Sequence, residues 1–177
     1  RLLERPPQWS KGWMVGYSDV TALLLSRLSK GFDGGVHGPL LTSLSYEPDW
    51  SKERLKAVLF GLAVPDLYGD PWVKGIATGP LVVANLSVAS HLLGSRHMPN
   101  LKEAILILED VGEAPYRLDR MLTQWRLAGL LQGLAGLGFG SFKKCVGPIN
   151  EPKNQTFDVQ EVLKERSQDL NIPVIGN

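Results

Sequence analysis

The tetrapeptide Gly16-Tyr17-Ser18-Asp19 stands between the apolar run Trp13 to Val15 and an apolar-periodic segment carrying Val20, Leu23, Leu24 and Leu28. A strand that turns this abruptly into a helix leaves its turn residue above the sheet edge, at the positive end of the helix dipole. A serine oxygen held there can attack a carbonyl, and a backbone N–H beside it can receive the oxyanion. Ser18 is therefore the candidate nucleophile, and the backbone N–H of Asp19, which follows it at the helix start, is a candidate oxyanion donor. Taken alone, the tetrapeptide also describes a serine that N-caps a helix, with Asp19 as a first-turn acid favourable to the dipole. The α/β-hydrolase elbow is a neighbouring pattern, but it requires glycine at the fifth position, where this chain has Val20.

Beyond the elbow, short apolar runs alternate with amphipathic segments, the pattern of an α/β protein. Residues 13–16 read as a buried strand, 19–28 as a helix, and Gly34-Gly35-Val36-His37 as a turn feeding a second short strand. Leu55, Val58, Leu59 and Leu62 recur at helical spacing within 50–62, with Asp49 or Ser51 near the cap. Residues 64–71 hold Pro65, Gly69 and Pro71 without periodicity and are the linker candidate, so a second domain begins near Trp72. Within it the pattern predicts a strand at 75–81, a helix at 85–93, and a strand at 104–108 that ends at Glu109. A helix at 116–130 follows, with Leu118, Met121, Leu122, Trp125 and Ala128 on one face, and then a glycine-rich strand at 134–142. Asp158-Val159-Gln160-Glu161 has the form of a capping box opening a helix that runs to Leu170.

Composition removes several function classes. Lys and Arg number 19 against 18 Asp and Glu, a net charge of +1 that offers no basic field to nucleic acid. The single Cys145 cannot form an intrachain disulfide or a multi-cysteine metal site, which fits a reducing compartment. No uninterrupted apolar run approaches the ~20 residues of a membrane helix, so neither nucleic acid nor membrane is an expected partner.

Glycine-rich 133–140 contains Gly136-Leu137-Gly138, but Ser141 stands where a dinucleotide fingerprint needs its third glycine, and no Lys-Ser or Lys-Thr follows. It reads better as a strand with close backbone packing. His37, His91 and His97 lack the spacing of a ligand pair on one helical face, so no metal is expected and each histidine reads as structural or solvated. Glu109, by contrast, is a carboxylate at the end of an apolar run, hence at a sheet rim. There it can accept an imidazole Nδ1 proton and stabilise an imidazolium, or it can simply be a solvated or capping acid. Asp110 and Glu113 compete for the same role, Glu113 with a structural reading because it precedes Pro115.

Three ordered blocks then narrow the choice: Gly16-Tyr17-Ser18-Asp19-Val20-Thr21-Ala22-Leu23, His37-Gly38-Pro39, and the run from Ile107-Leu108-Glu109-Asp110 to Arg117-Leu118-Asp119-Arg120-Met121-Leu122. Together they resemble the LD-carboxypeptidase family of serine peptidases, which includes the microcin-immunity peptidases, and the resemblance runs the length of the chain. It implies a Ser-Glu-His triad with Ser18 as nucleophile and Glu109 as the orienting acid. The family's histidine falls just beyond a strand similar to Ile172-Pro173-Val174-Ile175-Gly176-Asn177, and Arg1-Leu2-Leu3 resembles the tail of its glycine-rich region, which carries the second oxyanion donor. The chain is thus expected to be an internal portion, inactive by itself. Asn85 in Val83-Ala84-Asn85-Leu86 matches the family's Gly-Gly-Asn-Leu segment, which borders the cleft and makes Asn85 a substrate-binding candidate; Val83 and Ala84 replace the two glycines.

What the resemblance implies beyond the site is an α/β fold in which 1–63 is the later part of an N-terminal doubly wound domain bearing the nucleophile. Residues 64–71 form the linker, and 72–177 form a C-terminal mixed β/α domain carrying the acid. The implied reaction is release of terminal D-alanine from muropeptide tetrapeptides in peptidoglycan recycling, without a cofactor, by a cytoplasmic homodimer. Two alternatives stand beside it: a microcin-immunity-like peptidase acting on aminoacyl-nucleotide analogues, marked by an aromatic platform for the base, and a non-catalytic binding protein. His37 is expected to shape a turn under the site. Ser18 and Glu109 are expected to face each other across a gap for one imidazole; His37 in that gap would end the triad reading in favour of the binding-protein alternative.

Overall fold

The computed structural model describes residues 3–4, 11–147 and 158–177; Arg1 and Leu2, part of the segment compared with the glycine-rich region, lie outside them. The element order is β1 (Met14–Gly16), α1 (Val20–Leu28), β2 (Gly35–His37), a 3-10 turn (Leu44–Tyr46), α2 (Asp49–Phe60), β3 (Asp70–Val73), β4 (Leu81–Asn85), α3 (Leu86–Ser90), β5 (Ile105–Val111), α4 (Pro115–Leu127), β6 (Gly136–Lys143), α5 (Val159–Glu165) and β7 (Val174–Gly176). Strands β1 and β2 pair in parallel as one small sheet, and the other five form a second sheet in the order β3-β7-β6-β5-β4. Strands β4 to β7 run parallel and β3 lies antiparallel on the β7 edge. Parallel neighbours need crossover connections, and α3, α4 and α5 supply them, which is the α/β architecture that the alternating pattern predicts.

The core forms where the apolar stripes of these helices meet the sheet. Leu118, Leu122 and Trp125 of α4 recur at helical spacing and are fully buried, against Leu106 and Leu108 of β5, which alternate toward the same layer. The Trp125 indole N–H donates to Ser90 Oγ at 2.8 Å, and Ser90 Oγ donates in turn to Leu86 O at 2.7 Å. The fully buried Trp125 ring therefore carries a satisfied polar edge into the apolar layer and ties α4 to α3.

Several boundaries differ from expectation, each for a local reason. Regular structure resumes at Asp70, inside the expected linker, and Pro71 sits in β3 because an edge strand tolerates a residue without an N–H. No strand forms at 75–80, where Pro80 has no donor; β4 begins at Leu81, and Ile105 N–H donates to the Pro80 carbonyl at 2.8 Å. Strand β5 does not end at Glu109 but continues through Val111, with an irregularity against β6 between Leu108 and Asp110. The cap of α2 falls at Pro48, with Asp49 in the first turn paired to Lys52 at 2.9 Å. The capping box at Asp158 and Glu161 forms as read, though α5 stops at Glu165 rather than Leu170.

If Trp125 is the keystone between α3 and α4, its truncation leaves a cavity that the sheet cannot collapse into. Trp125→Ala is expected to lower unfolding free energy by about 3–5 kcal/mol and Trp125→Phe by a smaller amount. Urea melts with an unchanged slope check this; a loss under about 1 kcal/mol for the alanine variant refutes it.

Candidate active site

The elbow is built by a glycine and a strained serine. Gly16 closes β1, Val20 opens α1, and a Cβ added to Gly16 would lie 2.8 Å from Val20 Cγ1 and 2.9 Å from its Cβ and Cγ2, so strand and helix approach as only glycine permits. Ser18 adopts φ 55°, a left-handed conformation that costs a non-glycine residue about 1–2 kcal/mol. Val20 N–H donates to Tyr17 O at 3.2 Å and Thr21 N–H to Ser18 O at 2.9 Å, which closes the turn around it. The capping position of α1 is Asp19, and no side chain caps the helix, so Ser18 is not held as a helix cap. Its side chain is exposed, and the backbone N–H of Asp19 donates to no group among the described residues.

Glu109 stands near the end of β5, its side chain 20% exposed, directly opposite Asn85 in the parallel register with β4. Asn85 Oδ1 accepts from Val88 N–H at 3.0 Å as the cap of α3, which turns Nδ2 toward the carboxylates. Nδ2 then donates to Glu109 Oε1 at 3.3 Å and to Asp110 Oδ1 at 3.2 Å. The backbone N–H of Asn85 donates to Thr21 Oγ1 at 3.2 Å, and Thr21 is fully buried in the first turn of α1, three positions after Ser18. Ser18 and Glu109 come from different sheets, yet one asparagine bonds to the helix behind the first and to the carboxylate of the second.

Asp110, one of the rejected acids, is 2% exposed and accepts four bonds: from Ser87 N–H (2.8 Å), Ser87 Oγ–H (2.7 Å), Val111 N–H (2.8 Å) and Asn85 Nδ2 (3.2 Å). A carboxylate with this many donors is stable in a buried position. The period-two pattern carried the signal: Leu106, Leu108 and Asp110 share one face of β5, the core face, while Glu109 falls on the other. Thr21 and Ser87 had no such signal, because their partners are distant in sequence. Glu113 forms an ion pair with Arg117 at 3.4 Å, in keeping with a structural role.

The parallel pairing sets Gly16 opposite His37, and Gly38 N–H donates to Gly16 O at 3.1 Å, so the His-Gly-Pro segment is bound to the end of the nucleophile strand. From there His37 Nε2 comes within 3.3 Å of Glu109 Oε1, its side chain 11% exposed, while Nδ1 is buried with no hydrogen-bond partner among the described residues. His37 thus takes up one side of Glu109, on the Oε1 that Asn85 Nδ2 also meets. His91 bonds locally to Ser87 O, and His97 bonds to Ser26 Oγ of α1, 71 positions away in the chain. Cys145 is buried, which pushes its thiol pKa up and makes it a poor nucleophile. Among the described residues no three His, Cys, Asp or Glu side chains are grouped to hold a metal, and no helix is long and apolar enough to cross a membrane.

Residues 78–177 match the family described as the LD-carboxypeptidase C-terminal domain. A Synechocystis sp. protein assigned by name to the carboxypeptidases is 48% identical over 165 residues, which is 93% of this chain and 54% of that protein. The muramoyltetrapeptide carboxypeptidase of Oxalobacter formigenes superposes with a TM-score of 0.71 at 25% identity, covering 93% of this chain and 57% of that one. MccF, solved in complex with glutamyl sulfamoyl guanosine, gives a TM-score of 0.74 at 19% identity over 99% of this chain and 60% of its own, a likeness of fold. The chain spans about half the length of the curated relatives it matches.

The contact between Gly16 and Val20 makes a test of the elbow. Gly16→Ala is expected to destabilise the protein by about 1–3 kcal/mol through overpacking, and Val20→Ala in the same chain to return part of the loss. Thermal unfolding of the three variants reads this; an additive pair would show that strand and helix do not touch there.

Proposed function

We propose, from the premise that the chain belongs to the LD-carboxypeptidase family, that it carries the nucleophile and the orienting acid of a serine peptidase releasing terminal D-alanine from muropeptide tetrapeptides. The observation that supports this most is Ser18 itself: exposed, at φ 55°, on an elbow whose helix is bonded through Thr21 and Asn85 to Glu109. Strain at an exposed serine has a use if its hydroxyl must reach a substrate, and little use otherwise.

In this reading Ser18 Oγ attacks the carbonyl of the bond to D-alanine, and the negative charge on the carbonyl oxygen is received by the N–H of Asp19. The proton passes to an imidazole that the resemblance puts after Asn177, and from there to the leaving amine, which departs as D-alanine. Water then hydrolyses the acyl-serine. Glu109 orients the imidazole and offsets its charge, and Asn85 holds Glu109 at the cleft border. No cofactor takes part. The same reading divides the chain at 64–71 between a nucleophile-bearing domain and an acid-bearing one, and makes the protein a cytoplasmic homodimer. The lone, buried Cys145 suits a reducing compartment.

In the full-length natural protein, Ser18→Ala is expected to abolish release of D-alanine from an LD-tetrapeptide while the fold persists. Undiminished release removes Ser18 from the mechanism. Glu109→Gln is expected to lower kcat by a factor on the order of 10² to 10⁴, with a smaller change in KM. Loss of activity in Glu113→Gln with Glu109→Gln unaffected would move the acid to Glu113.

A further inference from the structure

Glu109 has two oxygens, and the described residues treat them differently. Oε1 accepts from Asn85 Nδ2 at 3.3 Å and lies 3.3 Å from His37 Nε2, while Oε2 receives no hydrogen bond from any described residue. The two groups approach from different elements, Asn85 from the end of β4 and His37 from the end of β2. Both backbones are anchored: Asn85 by its register opposite Glu109 and its N–H on Thr21, His37 by its register opposite Gly16 and the Gly38 bond that follows. A carboxylate met on one oxygen by two groups from opposite strands loses rotation about its last bond.

We infer that His37 is a positioning residue for Glu109: its Nε2–H holds Oε1 against Asn85, so that Oε2 is presented for the imidazole of the general base. This rests on the functional reading above, in which Glu109 is the orienting acid. The protonation pattern follows from burial. Nε2 faces a carboxylate oxygen, so a hydrogen bond there needs the proton on Nε2, and the buried Nδ1 has no hydrogen-bond partner among the described residues. A buried acceptor without a partner is better tolerated than a buried N–H without one. His37 therefore does not serve as the base itself. With Nε2 turned to Glu109, only Nδ1 is left to accept a proton from a substrate-facing group, and that atom is buried, whereas the Ser18 side chain is exposed. The role also accounts for His37 lying opposite the end of the nucleophile strand: the strand pair that carries the elbow sets the orientation of the acid as well.

The test is a double-mutant cycle in the full-length protein, with kcat and KM for D-alanine release from an LD-tetrapeptide. His37→Ala is expected to lower kcat about 10- to 100-fold with KM within about threefold, as for other groups that orient a reacting side chain. His37→Gln, whose amide nitrogen reaches the place of Nε2, is expected to recover kcat to within about threefold of the natural protein. In the Glu109→Gln background the His37→Ala effect should shrink below about twofold, since the two act as a unit. An equal loss in both backgrounds, an unchanged kcat, or glutamine no better than alanine overturns the inference. Ring-nitrogen NMR of His37 reads the contact without activity: Nε2 protonated and Nδ1 bare is expected, with a shift of the Nε2 signal in Glu109→Gln. A ring protonated at Nδ1 overturns the inference while the peptidase reading stands. No D-alanine release by the natural protein, or a Glu109→Gln variant with full kcat, ends the peptidase reading and takes the inference with it.

Discussion

The amide of Asn85 is the point on which the site depends. Its oxygen caps α3, its nitrogen spans the side chains of Glu109 and Asp110, and its backbone N–H is bonded to Thr21 at the start of α1. Each bond by itself is worth about 1 kcal/mol or somewhat more where a carboxylate accepts. Their value lies in geometry, because the three partners sit on α1, α3 and β5, which no single stretch of chain could hold together. Asp110 makes the arrangement rigid: buried and satisfied by four donors, it binds the start of α3 to the end of β5 and so leaves Asn85 one orientation.

This division of labour explains why two adjacent acids behave so differently. Asp110 points to the core face of β5 and is consumed by structure; Glu109 points to the other face, partly exposed, and keeps an oxygen without a described partner. The irregular pairing of β5 with β6 falls between Leu108 and Asp110, at Glu109 itself. Irregularities of this kind at a strand end re-aim a side chain, and here the side chain concerned is the candidate acid. Asn85 is bonded on one side to Thr21, three positions after Ser18, and on the other to Glu109.

The elbow, the α4 stripe, the capping box at Asp158 and the strand bearing Glu109 were legible because each is a local pattern: a glycine two positions before a serine, a 3.6-residue period, a four-residue reciprocal cap, an apolar run. Boundaries failed where a proline or an edge decided them. Pro80 delayed β4 past its expected start, and the edge position of β3 admitted Pro71, which the composition had marked as linker. Asp110 could have been placed by the parity of β5, which puts it in line with Leu106 and Leu108.

His37 could not have been placed that way. Its contact with Glu109 spans two sheets, and depends on the β1–β2 register and on how that pair sits beside β4. The sequence by itself determined the local chemistry of this protein, namely a serine on a sharp strand-to-helix turn and a carboxylate at the end of a buried strand, because turn geometry and periodicity are properties of neighbouring residues. The tertiary structure alone decided which donors meet that carboxylate and on which oxygen, because hydrogen bonds at about 3 Å depend on register and packing between segments far apart in the chain.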